Sequence, residues 1–412
     1  MKTTPLLLIL FVSLISCTGS GKKENQKHES MTNNKSGSYG YDRDFLSEHV
    51  AIIELKRGNS AVTLVPSWQG RVMTSTAEGD AGFSYGWINH RLIASGEIQP
   101  HINAFGGEER LWLGPEGGQF SIFFKKGEEF IYDNWQTPDF LDTKPFEVSA
   151  RTDTSALFSH ETETENYSGT RLTFRIEREV TLLTRNGIIS ETGLDLTGLS
   201  SVAYRSVNRL INTGESAWTR DGGLLSVWML GMFIPSPSVV VVIPYNQGDA
   251  RIMGPPVNDS YFGSIAGDRL KVTDSHIFFR ADGKSRGKIG IPPLRATGIM
   301  GSYDSANNIL TLLICRLPEG VKDYVNSAWE LQEEPYSGDA LNSYNDGPLE
   351  DGSQMGPFYE LESSSPAAAL KPGEVMTHRQ FTLHITGKKD LLNKVALQAL
   401  GISLEEAEGA FM

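Results

Sequence analysis

The sequence predicts an all-β protein. From residue 41 onward, apolar and polar residues alternate with a period of two, as they do when a strand buries one face. Roughly a dozen and a half strand-like runs can be counted, separated by Gly, Pro, Asn or Asp. No long linker and no internal repeat divides this region, so a single domain of two large packed sheets is expected.

The clearest predicted strands are spread over the whole chain. They lie at 50–55, 61–65, 120–124, 156–162, 171–183, 188–196, 202–213, 224–230, 239–245, 277–280, 309–317, 358–362 and 379–386. The best alternation is at 379–385, where Phe381 and Leu383 face one side and Gln380, Thr382 and His384 the other. That pattern is typical of a sheet with one face in water.

A helical period is found only near the end of the sequence. Residues 388–400 (KKDLLNKVALQAL) place leucine, valine and alanine on one stripe, and Gly401 is a suitable stop. We expect this helix to dock on the outside of a sheet.

The N-terminus has the pattern of a secretory leader. Lys2 precedes an apolar run at 6–15 that is too short to span a bilayer, and the run ends at Cys17 in a sequence that resembles a bacterial lipobox. This predicts removal of residues 1–16, a lipid on Cys17 and a cell-envelope location. Thr18 in place of Asp after the cysteine favours the outer over the inner membrane.

Residues 17–40 are rich in Gly, Ser, Lys, Asn and Glu and nearly free of apolar side chains. Such a composition cannot bury enough surface to order itself, so a flexible tether is expected there. The folded domain is predicted at 41–412.

The charge balance limits the class of ligand. The 412 residues include 37 basic and 50 acidic side chains, giving a net charge of −13. An acidic surface of this kind argues against a nucleic-acid partner. Neutral ligands fit it better.

A dense polar stretch at 101–119 (HINAFGGEERLWLGPEGGQ) stands out from the apolar strands. Its two Gly-Gly pairs permit positive φ angles and close approach of a ligand. Arg110, Trp112 and Glu116 lie between them, and we expect the stretch to form the lip of a site. Glu108 and Glu109 are expected in solvent or in a turn.

A second candidate is the strand at 358–362. Glu360 and Glu362 would share one face of it, with Tyr359 and Leu361 on the other. On a concave sheet face such carboxylates could supply a general base. The plainer alternative is a pair of exposed acids on a solvated face.

Two further segments are rich in polar groups. The loop at 339–351 contains Asn345 and Asp346; its oxygen donors suit Ca²⁺ or sugar hydroxyls, although its order does not match an EF-hand and turn formation explains it as well. The strand at 202–213 places Asn208 on a polar face that is expected in solvent or in a cleft.

Several common sites are not indicated. The sequence has no GxSxG elbow, P-loop or GxGxxG after a strand, and no HxH or CxxC pair. Zinc is therefore not expected. No cofactor is predicted, with Ca²⁺ at the 339–351 loop as the one metal left open.

Three segments resemble the galactose-mutarotase-like (aldose 1-epimerase-like) superfamily: GGEERLWLGPEGG, RSVNRLINTG, and FYELESSSPAAALKPGE followed by His378. Within it, the sequence is similar to an uncharacterised family of bacterial lipoproteins and secreted proteins, from about residue 41 to 386. The resemblance implies a β-supersandwich whose concave face binds carbohydrate.

The resemblance also implies roles for particular residues. In aldose 1-epimerases a glutamate near the C-terminus takes the proton of the anomeric hydroxyl, a histidine protonates the ring oxygen and an arginine holds hydroxyls. Glu360 or Glu362 matches the glutamate, and Arg110 the arginine. The histidine motif of the family has no counterpart here, which leaves His101 as the candidate acid.

Together these observations predict a carbohydrate-binding or carbohydrate-active envelope lipoprotein. The predicted saccharide contacts are Arg110, Trp112, Glu116, Asn208, Asn345 and Asp346. An epimerase-like isomerase is one possibility, and a lyase or glycoside hydrolase on the same fold is left open. The alternatives are a noncatalytic glycan-binding subunit of a polysaccharide-uptake system and a structural envelope lipoprotein.

Overall fold

The computed structural model describes residues 35–412. The predicted all-β fold with a short C-terminal helix is confirmed. The strands are β1 (Ile53–Arg57), β2 (Ser60–Val65), β3 (Arg71–Thr76), β4 (Arg110–Gly114), β5 (Glu147–Arg151), β6 (Ser155–Glu165), β7 (Arg171–Leu182), β8 (Ser200–Asn212), β9 (Ser226–Phe233), β10 (Val239–Pro244), β11 (Leu270–Val272), β12 (His276–Arg280), β13 (Gly287–Ile291), β14 (Ile299–Asp304), β15 (Ile309–Cys315), β16 (Leu341–Asn345), β17 (Tyr359–Ser364) and β18 (Val375–Thr386). The helices are α1 (Tyr39–His49), α2 (His90–Ser95), α3 (Asp139–Asp142), α4 (Arg185–Thr192), α5 (Ala250–Met253), α6 (Lys389–Leu400) and α7 (Leu404–Glu408).

The strands form two large sheets and one small one. The 10-stranded sheet has the order β11-β12-β10-β14-β15-β18-β8-β7-β6-β5, and the 5-stranded sheet the order β13-β16-β17-β9-β4. Strands β1 to β3 make the 3-stranded sheet. Many neighbours are distant in sequence; β18, for example, pairs with β8 along its whole length. Side chains that meet on one sheet face therefore come from widely separated segments.

The two large sheets pack face to face over an apolar core. Leu111 and Met229 from the five-stranded sheet belong to the same buried cluster as Phe158, Phe174 and Ile176 from the ten-stranded sheet. Alternate residues of β4 and β9 thus point inward, and the residues between them point to the opposite face of the five-stranded sheet.

The C-terminal helix packs on the outside of the ten-stranded sheet, as predicted. Leu392 and Val395 of α6 join Leu310 and Leu383 of the sheet in one buried cluster. The helix ends before Gly401, which has a φ of 75° in the left-handed region that glycine adopts without strain. The predicted bounds of 388–400 are therefore correct to within one residue.

The expectation that helix is confined to the C-terminus is wrong. Helix α1 begins at Tyr39, where the Ser38 side chain accepts a hydrogen bond from the backbone N–H of Tyr41. Tyr39 is fully buried, and its hydroxyl lies 2.9 Å from both Glu54 and Thr63. These tertiary contacts, rather than an apolar stripe, stabilise the helix, and they show that residues before 41 belong to the folded domain.

Two predicted strands are not strands. The first five residues of the predicted strand at 188–196 belong to α4 (Arg185–Thr192), which is capped by the Thr184 side chain and ended by Gly193 at φ 72°. Residues 120–124 form a loop. Ile188 and Leu194 in the first segment and Ile122 and Phe123 in the second are buried without a partner strand, which the period of two alone does not reveal.

The face of β18 predicted to lie in water is buried between the two sheets. Gln380, Thr382 and His384 are at most 1% exposed. Gln380 donates to Glu109 at 2.8 Å, and the Nε2 of His384 lies 2.5 Å from Glu108. Alternation separates the two faces of the strand correctly, but a polar face can be buried when every group on it has a partner.

The expectation that Glu108 and Glu109 lie in solvent or a turn is wrong for the same reason. Both are 0% exposed. Glu109 Oε1 accepts a hydrogen bond at 2.8 Å from Arg178 of β7, which is also 0% exposed. Arg178 donates a further bond at 2.8 Å to Asn208 of β8. A buried charged layer therefore joins the two sheets.

The predicted leader at 1–16, the lipid on Cys17 and most of the tether at 17–40 lie outside the described residues, and they remain predictions. No helix within residues 35–412 has the length and apolar character needed to cross a membrane.

Candidate ligand-binding site

The outer face of the five-stranded sheet carries the candidate site. Arg110 of β4, Glu360 and Glu362 of β17 and Lys288 of β13 all project from this face, because each stands in register with residues of the same face on the strands between them. The inward residues of the same strands, such as Leu361, belong to the apolar core. Sheet pairing thus collects four charged side chains from three distant segments.

These four side chains form two diagonal ion pairs. Arg110 Nη2 lies 2.8 Å from Glu360 Oε1, with both side chains 6% exposed. Lys288 Nζ lies 3.0 Å from Glu362 Oε2, which also accepts a bond at 2.8 Å from the Trp228 ring N–H. A charge this far from water is tolerated only when it is paired and hydrogen-bonded, so the pairs fix one another's positions.

Tryptophan rings support both cations. The Arg110 guanidinium lies 4.6 Å from the centre of the Trp112 ring, and Lys288 Nζ lies 4.7 Å from that of Trp228. The negative face of an aromatic ring attracts a cation, most strongly when water is excluded. Ring and charge are therefore combined on the floor of the site.

A pocket of about 150 Å³ lies above this floor. The floor is formed by the sheet residues, and loops supply most of the walls, which are rich in aromatic rings. The lining residues are Ile102, Arg110, Trp112, Glu116, Tyr132, Trp135, Trp228, Leu230, Phe262, Arg286, Lys288, Trp329, Tyr344, Met355, Phe358 and Glu360. Trp135 stacks between Tyr132 and Trp329 at centroid distances of 6.0 and 5.9 Å, so the loops brace each other through their rings.

Burial changes the acidity of two carboxyl groups in the pocket. Burial raises the pKa of Glu116 to about 7; nearby Glu362 adds to the rise, while Lys288, Trp329 and Arg110 oppose it. The pKa of Glu360 is also raised, chiefly by burial, with the positive charge of Arg110 opposing. A carboxyl group with a pKa near neutrality can both take and give a proton at physiological pH.

The structure brings together four of the residues that the sequence singles out. Arg110, Trp112, Glu116 and Glu360 all line the pocket. Glu362 is fully buried behind Lys288, so Glu360 is the member of the pair that faces the pocket.

Other predicted site residues lie elsewhere. His101 sits beside the wall, where its Nδ1 lies 2.6 Å from the Trp135 carbonyl and its ring contacts Tyr132, but it does not line the pocket. Asn208 belongs to the buried layer between the sheets. Asn345 donates to the Ser285 carbonyl at 2.8 Å and is 0% exposed, so it shapes a loop.

Asp346 also has a structural role. It accepts hydrogen bonds from the Tyr344 hydroxyl at 2.6 Å and the Gly356 N–H at 3.0 Å. Asp339, in the same oxygen-rich loop, accepts from the Tyr261 hydroxyl at 2.6 Å, and burial raises its pKa to about 6. Within residues 35–412, no three or more His, Cys, Asp or Glu residues are grouped so that they could hold a metal ion.

Sequence reasoning missed Lys288, Arg286 and Phe262. The segment 286–291 (RGKIGI) alternates two cations with two isoleucines, which is a signal that a basic strand face is present. Nothing in that alternation shows that three strands separate this face from Arg110 in the same sheet.

The glycines of the 101–119 stretch serve the packing of the chain itself. A side chain at Gly117 would lie 2.3 Å from the Ala328 carbonyl oxygen, and one at Gly106 would lie 2.1 Å from that of Trp87. Gly106 has a φ of 96° and Gly118 one of 79°, as expected. The close approach predicted for a ligand is made instead by neighbouring loops, one of which carries Trp329.

The sequence matches a family of unknown function (DUF6786) over residues 37–411. The chain belongs to this family. Its description names neither an activity nor a lipid anchor, and no curated protein matches this family member.

Several solved structures are similar to this family member. A candidate aldose 1-epimerase from Escherichia coli K12 has 12% identity and a TM-score of 0.46, covering 81% of this chain and 98% of that chain. The Slr1438 protein from Synechocystis sp. PCC 6803 has 12% identity and a TM-score of 0.48, covering 87% and 100%. A galactose mutarotase-like protein from Lactobacillus casei ATCC 334 has 10% identity and a TM-score of 0.43, covering 82% and 99%.

Proposed function

We propose that this protein binds a saccharide in the pocket on the five-stranded sheet. The observation that carries the proposal is that one pocket contains both tryptophan rings and buried, ion-paired side chains. Sugar rings have apolar faces that pack on aromatic rings and hydroxyl edges that bind charged donors and acceptors. Arg110 and Glu360 supply the polar contacts, and Trp112 and Trp329 supply the aromatic faces.

The size of the pocket supports a single bound ring. A cavity of about 150 Å³ is known to hold one six-membered carbon ring. The pocket has a similar volume of about 150 Å³ and is open on one side. It therefore takes one sugar unit, with any further units outside the mouth.

A fatty-acid anchor on Cys17 and an envelope location are part of the proposal, supported by the N-terminal sequence alone. Loss of fatty-acid labelling in Cys17→Ser cells is the expected result, and unchanged labelling would exclude this anchor.

Titration calorimetry against a panel of mono- and oligosaccharides should give saturable binding. Trp329→Leu should weaken this binding about tenfold, because one stacking aromatic face contributes on the order of 1 kcal/mol or more. Trp68→Leu is the matched control. Trp68 is also partly buried, but it stacks on Phe105 away from the pocket. A flat response to every sugar would exclude the proposal.

A second candidate function is acid–base chemistry at the anomeric centre, favoured by the two carboxyl groups of raised pKa. Glu360 takes the proton of the anomeric hydroxyl, the bond between C1 and the ring oxygen breaks, and Glu116 gives its proton to that oxygen. The open aldehyde then recloses on its other face and the protons return. Glu116 here takes the part that the resemblance gives to histidine.

This candidate predicts faster mutarotation. Proton NMR of a freshly dissolved anomer of a sugar that binds should show a rate that is highest near pH 7. The rate falls above that pH because Glu116 must be protonated, and below it because Glu360, whose pKa is also raised, must be ionised. Glu116→Gln should lower the catalysed rate of mutarotation about 10²–10⁴-fold. Glu163→Gln, at an exposed position of β6, should leave that rate unchanged. Binding without any enhancement would leave a noncatalytic glycan-binding protein.

A further inference from the structure

Arg286 differs from the other cations of the pocket. Arg110 and Lys288 are each within 3.0 Å of a carboxylate, whereas Arg286 makes no ion pair with any carboxylate of residues 35–412. It is exposed, and its guanidinium lies 3.9 Å from the centre of the Phe262 ring. The guanidinium also donates a hydrogen bond to the Tyr344 hydroxyl, and its remaining N–H groups are available to a planar anion.

The surroundings of Arg286 contain few competing acids. The nearby Asp346 is engaged by Tyr344 and by a backbone N–H. Arg286 immediately precedes β13, Lys288 is the second residue of that strand, and both line the pocket. Glu362 pairs with Lys288, and burial favours the neutral form of Glu116. The pocket is thus locally richer in positive charge than a chain of net charge −13 suggests.

We propose that the pocket selects a saccharide that carries an oxyanion, a carboxylate or a sulfate ester, and that Arg286 is the residue that recognises it. This inference rests on the proposed saccharide function and names its substrate class. The ring packs on the tryptophans of the floor and walls, and the acidic substituent points to the lip where Arg286 lies on Phe262. It replaces the expectation of a neutral ligand, which follows from net charge alone.

The test compares matched sugars that differ in one substituent: glucose, glucuronic acid and glucose 6-sulfate, with galactose, galacturonic acid and galactose 6-sulfate as a second series. By calorimetry in 50 mM NaCl, at least one acidic sugar should bind about tenfold or more tightly than its neutral parent. The two acidic arms show whether a carboxylate or a sulfate is preferred. Because Arg286 is exposed, the preference should shrink in 500 mM NaCl.

Arg286→Gln should abolish the preference, lowering the affinity for the acidic sugar about tenfold more than the affinity for its neutral parent. Arg151→Gln, an equal charge change at an exposed site on the edge strand β5, should leave the preference intact. Equal binding of neutral and acidic sugars, or a preference that survives Arg286→Gln, would overturn the inference and leave the saccharide function standing. Absence of binding by every sugar would overturn both.

Discussion

Replacing Arg178 with methionine should lower the free energy of unfolding by about 3–5 kcal/mol. Arg178 is fully buried between the sheets and donates to Glu109 and Asn208 at 2.8 Å and to the Gly70 carbonyl at 3.1 Å. Methionine fills a similar volume but donates no hydrogen bond. The Glu109 carboxylate would keep only Gln380 and Thr382 as donors, at 2.8 and 3.5 Å, and would lose its counter-charge.

The matched control is Arg175→Met. Arg175 lies three residues earlier on β7, on the opposite face, with a side chain 40% exposed and paired to Glu177. Exposed pairs contribute little, so its loss should change stability by no more than about 0.5 kcal/mol. Urea unfolding followed by tryptophan fluorescence measures both variants.

A double variant shows that the cost arises from the uncompensated charge. Adding Glu109→Gln to Arg178→Met removes the isolated carboxylate, and part of the lost stability should return. A single-variant loss below about 1 kcal/mol, or a double variant that loses the full sum, would contradict the role given to this pair.

The sequence predicts the fold well because alternation is a local property. The two faces of β17 follow from residue order, and the sequence correctly places Glu360 and Leu361 on opposite faces. Alternation does not show whether each face of a strand is covered by water or by another part of the protein. Gln380 and His384 are buried because Glu109 and Glu108 meet them from about 270 residues away.

The sequence predicts only the part of the site whose residues are close together in the chain. Arg110, Trp112 and Glu116 lie close together in sequence, and their density marks the stretch as unusual. Lys288 and Arg286 belong to the same pocket through sheet register, with β16, β17 and β9 between them and β4. Register depends on pairing between distant strands, which no local pattern in one sequence records.

Arg110→Ala should reduce saccharide affinity about a hundredfold or more while the protein stays folded. Truncating one member of a buried charged pair at a binding site costs about 2–5 kcal/mol, and 1.4 kcal/mol corresponds to tenfold. Arg110 both holds Glu360 at 2.8 Å and covers the Trp112 ring, so its loss removes a donor and disturbs the floor. Calorimetry against the tightest sugar of the panel measures the loss.

The control for Arg110→Ala is Arg205→Ala. Arg205 pairs with Glu191 at 3.2 Å and is 29% exposed on the outward face of β8, far from the pocket residues. Its removal should leave affinity unchanged. Unaltered binding in Arg110→Ala would show that Arg110 does not contact the ligand, and the assignment of the site would fail.

The stability of Arg110→Ala should differ from that of Arg178→Met in its dependence on pH. The pKa of Glu360 is already raised by burial, and Arg110 is the main group that opposes the rise. Without Arg110, Glu360 keeps its proton to higher pH in the folded state than in the unfolded state, so folding takes up a proton and stability falls as pH rises above the unfolded value of 4.5. Wild-type Glu360, with a pKa raised to about 7, shares this fall up to that pH, so the variant should approach wild-type stability near pH 5 and its deficit should grow between pH 7 and pH 8. A deficit that is the same at both pH values would mean that Glu360 does not become protonated when its partner is removed, and that the pocket floor is held together by other contacts.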